Sequence, residues 1–169
     1  MNQIVTPDLT GSPSPSWPAA PGARVVFLVE GRTATERQLL ERWVARMRPA
    51  ETDQAHVTIL ALPVGPDTRT LAAQLRAFLS DEACLLAPAR VAWLPRELEG
   101  ERSARLSDLL LWRDPRKPRE ALQQRILRGE PERCRIVVAQ PATIATLNAR
   151  ARAAGDADVG DPEGFAGFV

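Results

Sequence analysis

The stretch Arg24–Met47 reads RVVFLVEGRTATERQLLERWVARM, and it indicates the fold class of the whole chain. Its opening run, RVVFLVEG, is continuously β-branched and aromatic and closes at Gly31, a pattern typical of a buried strand. Thr33 and Glu36 then have the spacing of a capping box, and apolar residues follow at helical spacing until Pro49. A buried strand that runs straight into an amphipathic helix predicts a β-α unit.

The same alternation continues along the chain. Further predicted strands are HVTILALPVG (His56–Gly65), Arg90–Leu94 and Cys134–Ala139. Thr68 can cap a second helix, whose apolar face carries Leu71, Leu75, Phe78 and Leu79. Two further helices are predicted, one that begins near Pro118 and runs to Arg128 and one that begins near Pro141. We therefore expect a three-layer α/β domain in which a mainly parallel sheet of about four strands is flanked by helices.

The domain is predicted to span residues 23–154, between two segments of different composition. Residues 1–22 are rich in Pro, Ser and Thr, with five prolines from Pro7 to Pro21, so we expect an extended or disordered tail. Within that tail, Trp17 either docks on the domain or stays loose. Residues 155–169 are rich in Gly and Asp and end on FAGFV, which favours a linker towards a missing downstream domain.

Composition excludes several classes of function. A formal net charge of +1 over 169 residues gives no general case for a nucleic-acid partner. Cys84 and Cys134 are 50 residues apart and His56 is the only histidine, so we expect neither a disulfide framework nor a metal site. The chain has no signal-peptide pattern and no apolar run long enough to span a membrane, which favours a cytoplasmic location.

No residue pattern identifies a catalytic site or a cofactor. Gly31 stands alone after the first strand, without a G-x-G-x-x-G motif or a Walker lysine, so only weak anion binding at the following helix start is expected. His56 is interpreted as a surface histidine, and Ser103, Ser107 and Asp108 form no recognisable triad with it.

A basic block is the strongest binding signal. Eight Lys or Arg residues face four acids between Arg113 and Arg135. The candidate anion-binding residues are Arg113, Arg116, Lys117, Arg119, Arg125 and Arg128. Guanidinium groups suit phosphate on a small molecule, a carrier-protein arm or a lipid headgroup. The alternative is a set of solvated arginines paired with Glu120, Glu130 and Glu132.

The order of motifs around this block resembles a known family. RDPRKPREALQQRIL (Arg113–Leu127) precedes the strand-like CRIVV (Cys134–Val138), with RVAWLP at Arg90–Pro95 and the closing FAGFV at Phe165–Val169. Over about Arg24–Val169 the chain resembles the N-terminal region of actinobacterial-type glycerol-3-phosphate 1-O-acyltransferases. That family's catalytic motif is His-x-x-x-x-Asp, which the chain lacks, since Ala61 stands five residues after His56.

The resemblance implies an N-terminal, non-catalytic module of an enzyme that moves an acyl group from acyl-CoA or acyl carrier protein to glycerol 3-phosphate in phospholipid synthesis. Its implied partners are a downstream acyltransferase domain, acyl carrier protein or an anionic membrane surface, and it implies peripheral attachment at the inner face of the cell membrane. The alternative is a free-standing α/β binding module that docks an anionic or phosphate-bearing partner through its basic loop.

Overall fold

A computed structural model of the chain describes residues 15–19, 22–63, 69–95, 97–98, 101–102 and 116–154. In chain order, the strands are β1 (Val25–Glu30), β2 (Val57–Ala61), β3 (Leu85–Trp93), β4 (Glu97–Leu98), β5 (Glu101–Arg102), β6 (Cys134–Val138) and β7 (Ala142–Thr143). The α-helices of the described residues are α1 (Ala34–Met47), α2 (Arg69–Leu75), α3 (Glu120–Gly129) and α4 (Ile144–Ala154).

The central sheet confirms the predicted fold class. Its strand order is β2-β1-β3-β6, and β7 pairs with β3 beyond the end of β6. Strands β2, β1 and β3 are parallel, as β-α units require, whereas β6 and β7 run antiparallel to β3. The antiparallel edge was not foreseen, because a pattern of buried residues gives no strand direction.

Helices cover both faces of the sheet, so the predicted three layers are present. One face packs Val26, Leu28 and Leu86 against α2 and against Ile144 of α4. The other face packs Phe27 and its neighbours against α1. A third cluster extends this second face towards α3; its buried members are Leu39, Trp93, Ile126, Leu127 and Cys134.

Strand β3 is longer than the sequence predicts, because it runs through Pro88. A proline inside a central strand is unfavourable since it cannot donate to the ladder, and for that reason the prediction started the strand at Arg90. Here Ala139 N–H donates to the Pro88 carbonyl at 2.8 Å, and Pro88 has no N–H to return. The β3–β6 pairing ends at this point, and β7 pairs with β3 from Leu86 onward. Pro88 thus sits where two partner strands meet.

The N-terminal segment is described at residues 15–19, where Trp17 docks on the domain. Its ring meets Phe27 edge to face at 5.3 Å between centroids, and Phe27 meets Trp43 in the same way at 5.8 Å. Trp17 also packs against the cluster that contains Val57 and Ile59 of β2. Of the two alternatives for Trp17, docking is therefore the correct one.

Several element boundaries differ from the predicted ones. β2 ends at Ala61, α3 begins at Glu120 rather than near Pro118, and the last helix begins at Ile144 after β7, with Thr143 Oγ1 accepting from Thr146 N–H at 3.1 Å. Strands β4 and β5 pair antiparallel, with Glu97 opposite Arg102 and Leu98 opposite Glu101. Ser103, Ser107, Asp108, Arg113 and the predicted 155–169 linker lie outside the described residues.

Candidate functional site

The carboxyl ends of β1 and β3 meet the start of α1, at the edge where open α/β sheets usually bind ligands. Thr33 caps α1, since its hydroxyl accepts from Glu36 N–H at 3.1 Å as the capping box predicts. The reciprocal contact differs: Glu36 Oε2 accepts from Arg32 N–H at 2.8 Å. The Glu36 side chain is turned inwards and the residue is only 6% exposed. The Glu36 carboxylate is therefore buried in the protein interior and does not face solvent.

Gln123 of α3 saturates that buried carboxylate. Its Nε2 donates to Glu36 Oε1 at 2.8 Å and to the Pro118 carbonyl at 2.9 Å, while its Oε1 accepts from the Thr33 hydroxyl at 2.6 Å. Trp93 Nε1 donates to the same Glu36 oxygen at 2.9 Å. Buried polar groups with all their partners satisfied join elements together and leave little capacity for a ligand. The network ties α1, β3 and α3 into one unit.

The weak anion site predicted at the start of α1 is occupied by the protein itself. Glu120 Oε1 accepts from Thr35 N–H at 3.1 Å and from the Thr35 hydroxyl at 3.0 Å. A carboxylate at a helix N-terminus is favourable because the free amides and the helix dipole attract negative charge. Gly31 has a packing role here, since a Cβ would lie 2.5 Å from Arg37 Cγ. The one glycine of the turn makes room for Arg37.

Neither cysteine has the character of a nucleophile. Cys84 and Cys134 are both free and buried. Burial, with a smaller contribution from Asp81, raises the pKa of the Cys84 thiol to about 11. Burial, with a smaller contribution from Glu36, raises the pKa of Cys134 to about 12. Because the thiolate is the reactive form, both side chains are structural.

His56 lies at the opposite edge of the sheet, beside the amino ends of the parallel strands. It lines a cleft of about 280 Å³ together with Arg24 and Asp81, whose charged groups are 3.8 Å apart. His56 Nδ1 is buried and has no hydrogen-bond partner among the described residues. The described residues that line the cleft include no serine, threonine or cysteine. The cleft assembles no acid–base pair with a nucleophile.

The predicted anion-binding residues gather around α3. Arg116, Lys117 and Arg119 are exposed on the approach to the helix, and Arg125 and Arg128 are exposed along it. We call these five residues the α3 basic surface. The buried side of α3 carries Gln123, Ile126 and Leu127, which fixes the arginines on the solvent side. Of the six predicted residues, only Arg113 lies outside the described part of the chain.

Two of the three acids expected to neutralise this surface contact other groups. Glu120 accepts from Thr35, and Glu130 pairs with Arg133 at 2.8 Å. Within the described residues, no ion pair involves Lys117, Arg119, Arg125 or Arg128. Lys117, Arg119, Arg125 and Arg128 thus carry positive charge that no ion pair among the described residues neutralises.

No protein-family model matches the chain, and no solved structure matches it either. In the part of the chain that the structure describes, no three His, Cys, Asp or Glu side chains are grouped as metal ligands. No helix among those residues combines the length and the apolar character needed to cross a bilayer.

The sequence patterns identified the arginines but not the polar network around Glu36 and Gln123 that fixes helix α3. Glu36 lies 57 residues from Trp93 and 87 residues from Gln123 along the chain, so no local pattern connects them. The available signal was weak: Gln123 falls on the apolar side of the predicted helix, where a polar side chain needs a partner.

Proposed function

We propose that this domain is a non-catalytic docking module whose α3 basic surface binds a phosphate-bearing or otherwise anionic partner. The observation that carries the proposal is the exposure of Arg119, Arg125 and Arg128 while Glu120 and Glu130 are occupied by other groups. Guanidinium groups are always charged and form forked hydrogen bonds to phosphate or carboxylate, so they favour such partners over neutral ones.

Reactive side-chain types elsewhere in the described residues favour docking over catalysis. At the carboxyl edge of the sheet, Glu120 fills the start of α1 and Gln123 closes the polar network around Glu36. Both buried thiols have raised pKa values. A hydrolase or transferase needs a nucleophile or base within reach of its substrate, and these groups are either bonded internally or unreactive.

We further propose a biological context from the motif order. The domain would serve as the N-terminal module of a glycerol-3-phosphate 1-O-acyltransferase, whose catalytic His-x-x-x-x-Asp motif would lie in a separate domain. The resemblance of Arg113–Leu127 and its neighbouring motifs supports this context. An assay of the chain with acyl-CoA and glycerol 3-phosphate should give no turnover. Activity that survives repurification and is lost in His56→Ala would refute the non-catalytic role.

Docking itself is tested with a soluble polyanion. Inositol hexakisphosphate should bind the chain at low ionic strength, and the affinity should fall as salt rises because exposed charges are screened within about 8 Å at physiological salt. Arg119→Glu with Arg125→Glu should weaken binding strongly. Arg76→Glu is the matched control, because Arg76 is also exposed but follows α2 on the opposite face of the sheet. Equal losses in both variants would indicate a general charge effect and contradict the proposed surface.

A further inference from the structure

Three chain segments meet at the amino edge of the sheet and form the cleft that His56 lines. Arg24 lies directly before β1, His56 lies directly before β2, and Asp81 lies in the segment that leads into β3. Main-chain bonds hold this region, since Cys84 N–H donates to the Asp81 carbonyl and Leu85 N–H to the Arg24 carbonyl, each at 2.9 Å. The sheet therefore places a cation, an anion and an imidazole around one cleft of about 280 Å³.

The side chains around this cleft leave their hydrogen-bonding groups unused. The Arg24 guanidinium and the Asp81 carboxylate are 3.8 Å apart, too far for a hydrogen bond, and neither side chain has another polar partner among the described residues. The ring of Phe78 positions the guanidinium instead, with Arg24 Cζ 5.8 Å from the ring centroid. His56 Nδ1 likewise has no partner in the described part of the chain. The N–H groups of Arg24 and the oxygens of Asp81 are thus available to a ligand.

The two opposite charges indicate the class of ligand. A guanidinium group binds a carboxylate through two parallel N–H···O bonds, and a carboxylate accepts hydrogen bonds from an ammonium group. A ligand that carries both groups close together satisfies Arg24 and Asp81 at once, whereas a polyanion is repelled by Asp81. Opening the existing pair costs little, because the two side chains are 41% and 37% exposed and exposed ion pairs contribute little to stability.

The size and the walls of the cleft restrict this ligand to a small molecule. Its volume is just below the roughly 300–1,000 Å³ of typical small-molecule sites, and Gly22, Ala23 and Ala83 complete the walls with little or no side chain. We infer that the cleft binds a free α-amino acid with a small apolar side chain, its carboxylate on Arg24 and its ammonium group on Asp81. This inference is independent of the proposed function, because α3 packs at the carboxyl end of β3, at the other edge of the sheet.

The test uses His56 as a reporter, because it is the only histidine of the chain and its ring lines the cleft. The full chain is titrated with L-alanine at fixed pH while the proton and carbon resonances of the His56 ring are recorded. Two matched analogues follow: propionate lacks the ammonium group of alanine, and ethylamine lacks its carboxylate. L-Alanine should shift the His56 resonances to saturation, and each analogue should bind at least about tenfold more weakly, since it loses one charge-assisted contact.

Two variants assign the contacts to their residues. Asp81→Asn and Arg24→Gln should each weaken L-alanine binding by about tenfold or more, while inositol hexakisphosphate should bind both variants as it binds the parent chain. Glu82→Gln is the matched control, because Glu82 is the exposed neighbour of Asp81 and the substitution removes the same charge outside the cleft walls. The control should bind L-alanine as the parent chain does. Circular dichroism checks that each variant folds.

Three other outcomes would overturn the inference. Without a saturable shift of the His56 resonances in the parent chain, the cleft is no amino-acid site. If propionate binds as tightly as L-alanine, Asp81 takes no part and the ligand class is wrong. Equal losses in Asp81→Asn and Glu82→Gln would indicate a general charge effect. Should a variant fail to fold, the comparison of L-alanine with its two analogues on the parent chain still decides, and none of these results changes the standing of the α3 basic surface.

Discussion

At the scale of single residues, Gln123 is the side chain on which the docking face most depends. It is 1% exposed and makes three hydrogen bonds, to Glu36, Thr33 and the Pro118 carbonyl. Its removal would leave a buried carboxylate with fewer donors and release the chain just before α3. The Gln123 side chain therefore links α3 to α1 and to the segment that precedes α3.

Gln123→Leu should lower the free energy of unfolding by about 2–3 kcal/mol, because a buried acceptor that loses its donor bears its desolvation cost. Urea unfolding followed by circular dichroism measures the change. Gln124→Leu is the matched control, since Gln124 is the exposed neighbour on the same helix, and it should stay within about 0.5 kcal/mol. Equal effects at both positions would show that the network contributes no stability.

The raised pKa values of the buried thiols predict how the free energy of unfolding changes at alkaline pH. The folded-state pKa values of Cys84 and Cys134 are raised from 9.0 to about 11 and about 12. Above pH 9 the unfolded chain therefore loses thiol protons that the folded chain keeps, so this stability is complete below pH 9 and is lost as pH rises towards 11 and 12. Each thiol should lower the unfolding free energy by about 1.4 kcal/mol per pH unit inside its window.

Denaturant titrations of the parent chain and of a Cys84→Ala, Cys134→Ala variant, at pH values across that window, test this dependence. The variant is less stable throughout because two buried side chains are shortened. Its slope of stability against pH should nevertheless be shallower than that of the parent. Identical slopes would mean that both thiols ionise as easily in the folded chain as in the unfolded one.

At the scale of elements, the segment around Trp17 acts as part of the core. Trp17 contacts the Phe27 ring and packs against the buried cluster that Phe27 shares with α1. Trp17→Ala should lower the unfolding free energy by about 1–2 kcal/mol, from lost apolar burial and the lost edge-to-face contact. Ser16→Ala, at an exposed neighbour, should change it by less than about 0.5 kcal/mol. No difference between the two variants would show that the segment only rests on the surface.

The elements also show which features a sequence can predict. RVVFLVEG and the Thr33 cap are local patterns, and β1 and α1 follow them closely. Pro88 argues against a strand by the local rule, yet β3 includes it because β6 pairing stops there. The docking of Trp17, the antiparallel direction of β6 and the partners of Gln123 depend on residues distant in sequence. The arginines could be found from composition, but their exposure required the fold.

At the scale of the whole molecule, the described residues offer three places where a ligand could bind: the carboxyl edge of the parallel strands, the His56 cleft at their amino ends, and the α3 basic surface. The first is closed by Glu120 and Gln123. The second holds one histidine beside the Arg24–Asp81 pair and lacks a nucleophile. The third exposes Lys117, Arg119, Arg125 and Arg128, none of which forms an ion pair within the described residues. The central claim is that anionic partners bind this third place.

Amide chemical-shift mapping during a titration with inositol hexakisphosphate tests the claim most directly, because it reports on all three places at once. The largest amide chemical-shift changes should fall within residues 116–129 and should decrease with added salt. They should be absent in the Arg119→Glu, Arg125→Glu variant. Largest shifts at Thr33–Glu36 or around Arg24 and His56, or no shifts at low salt, would contradict it.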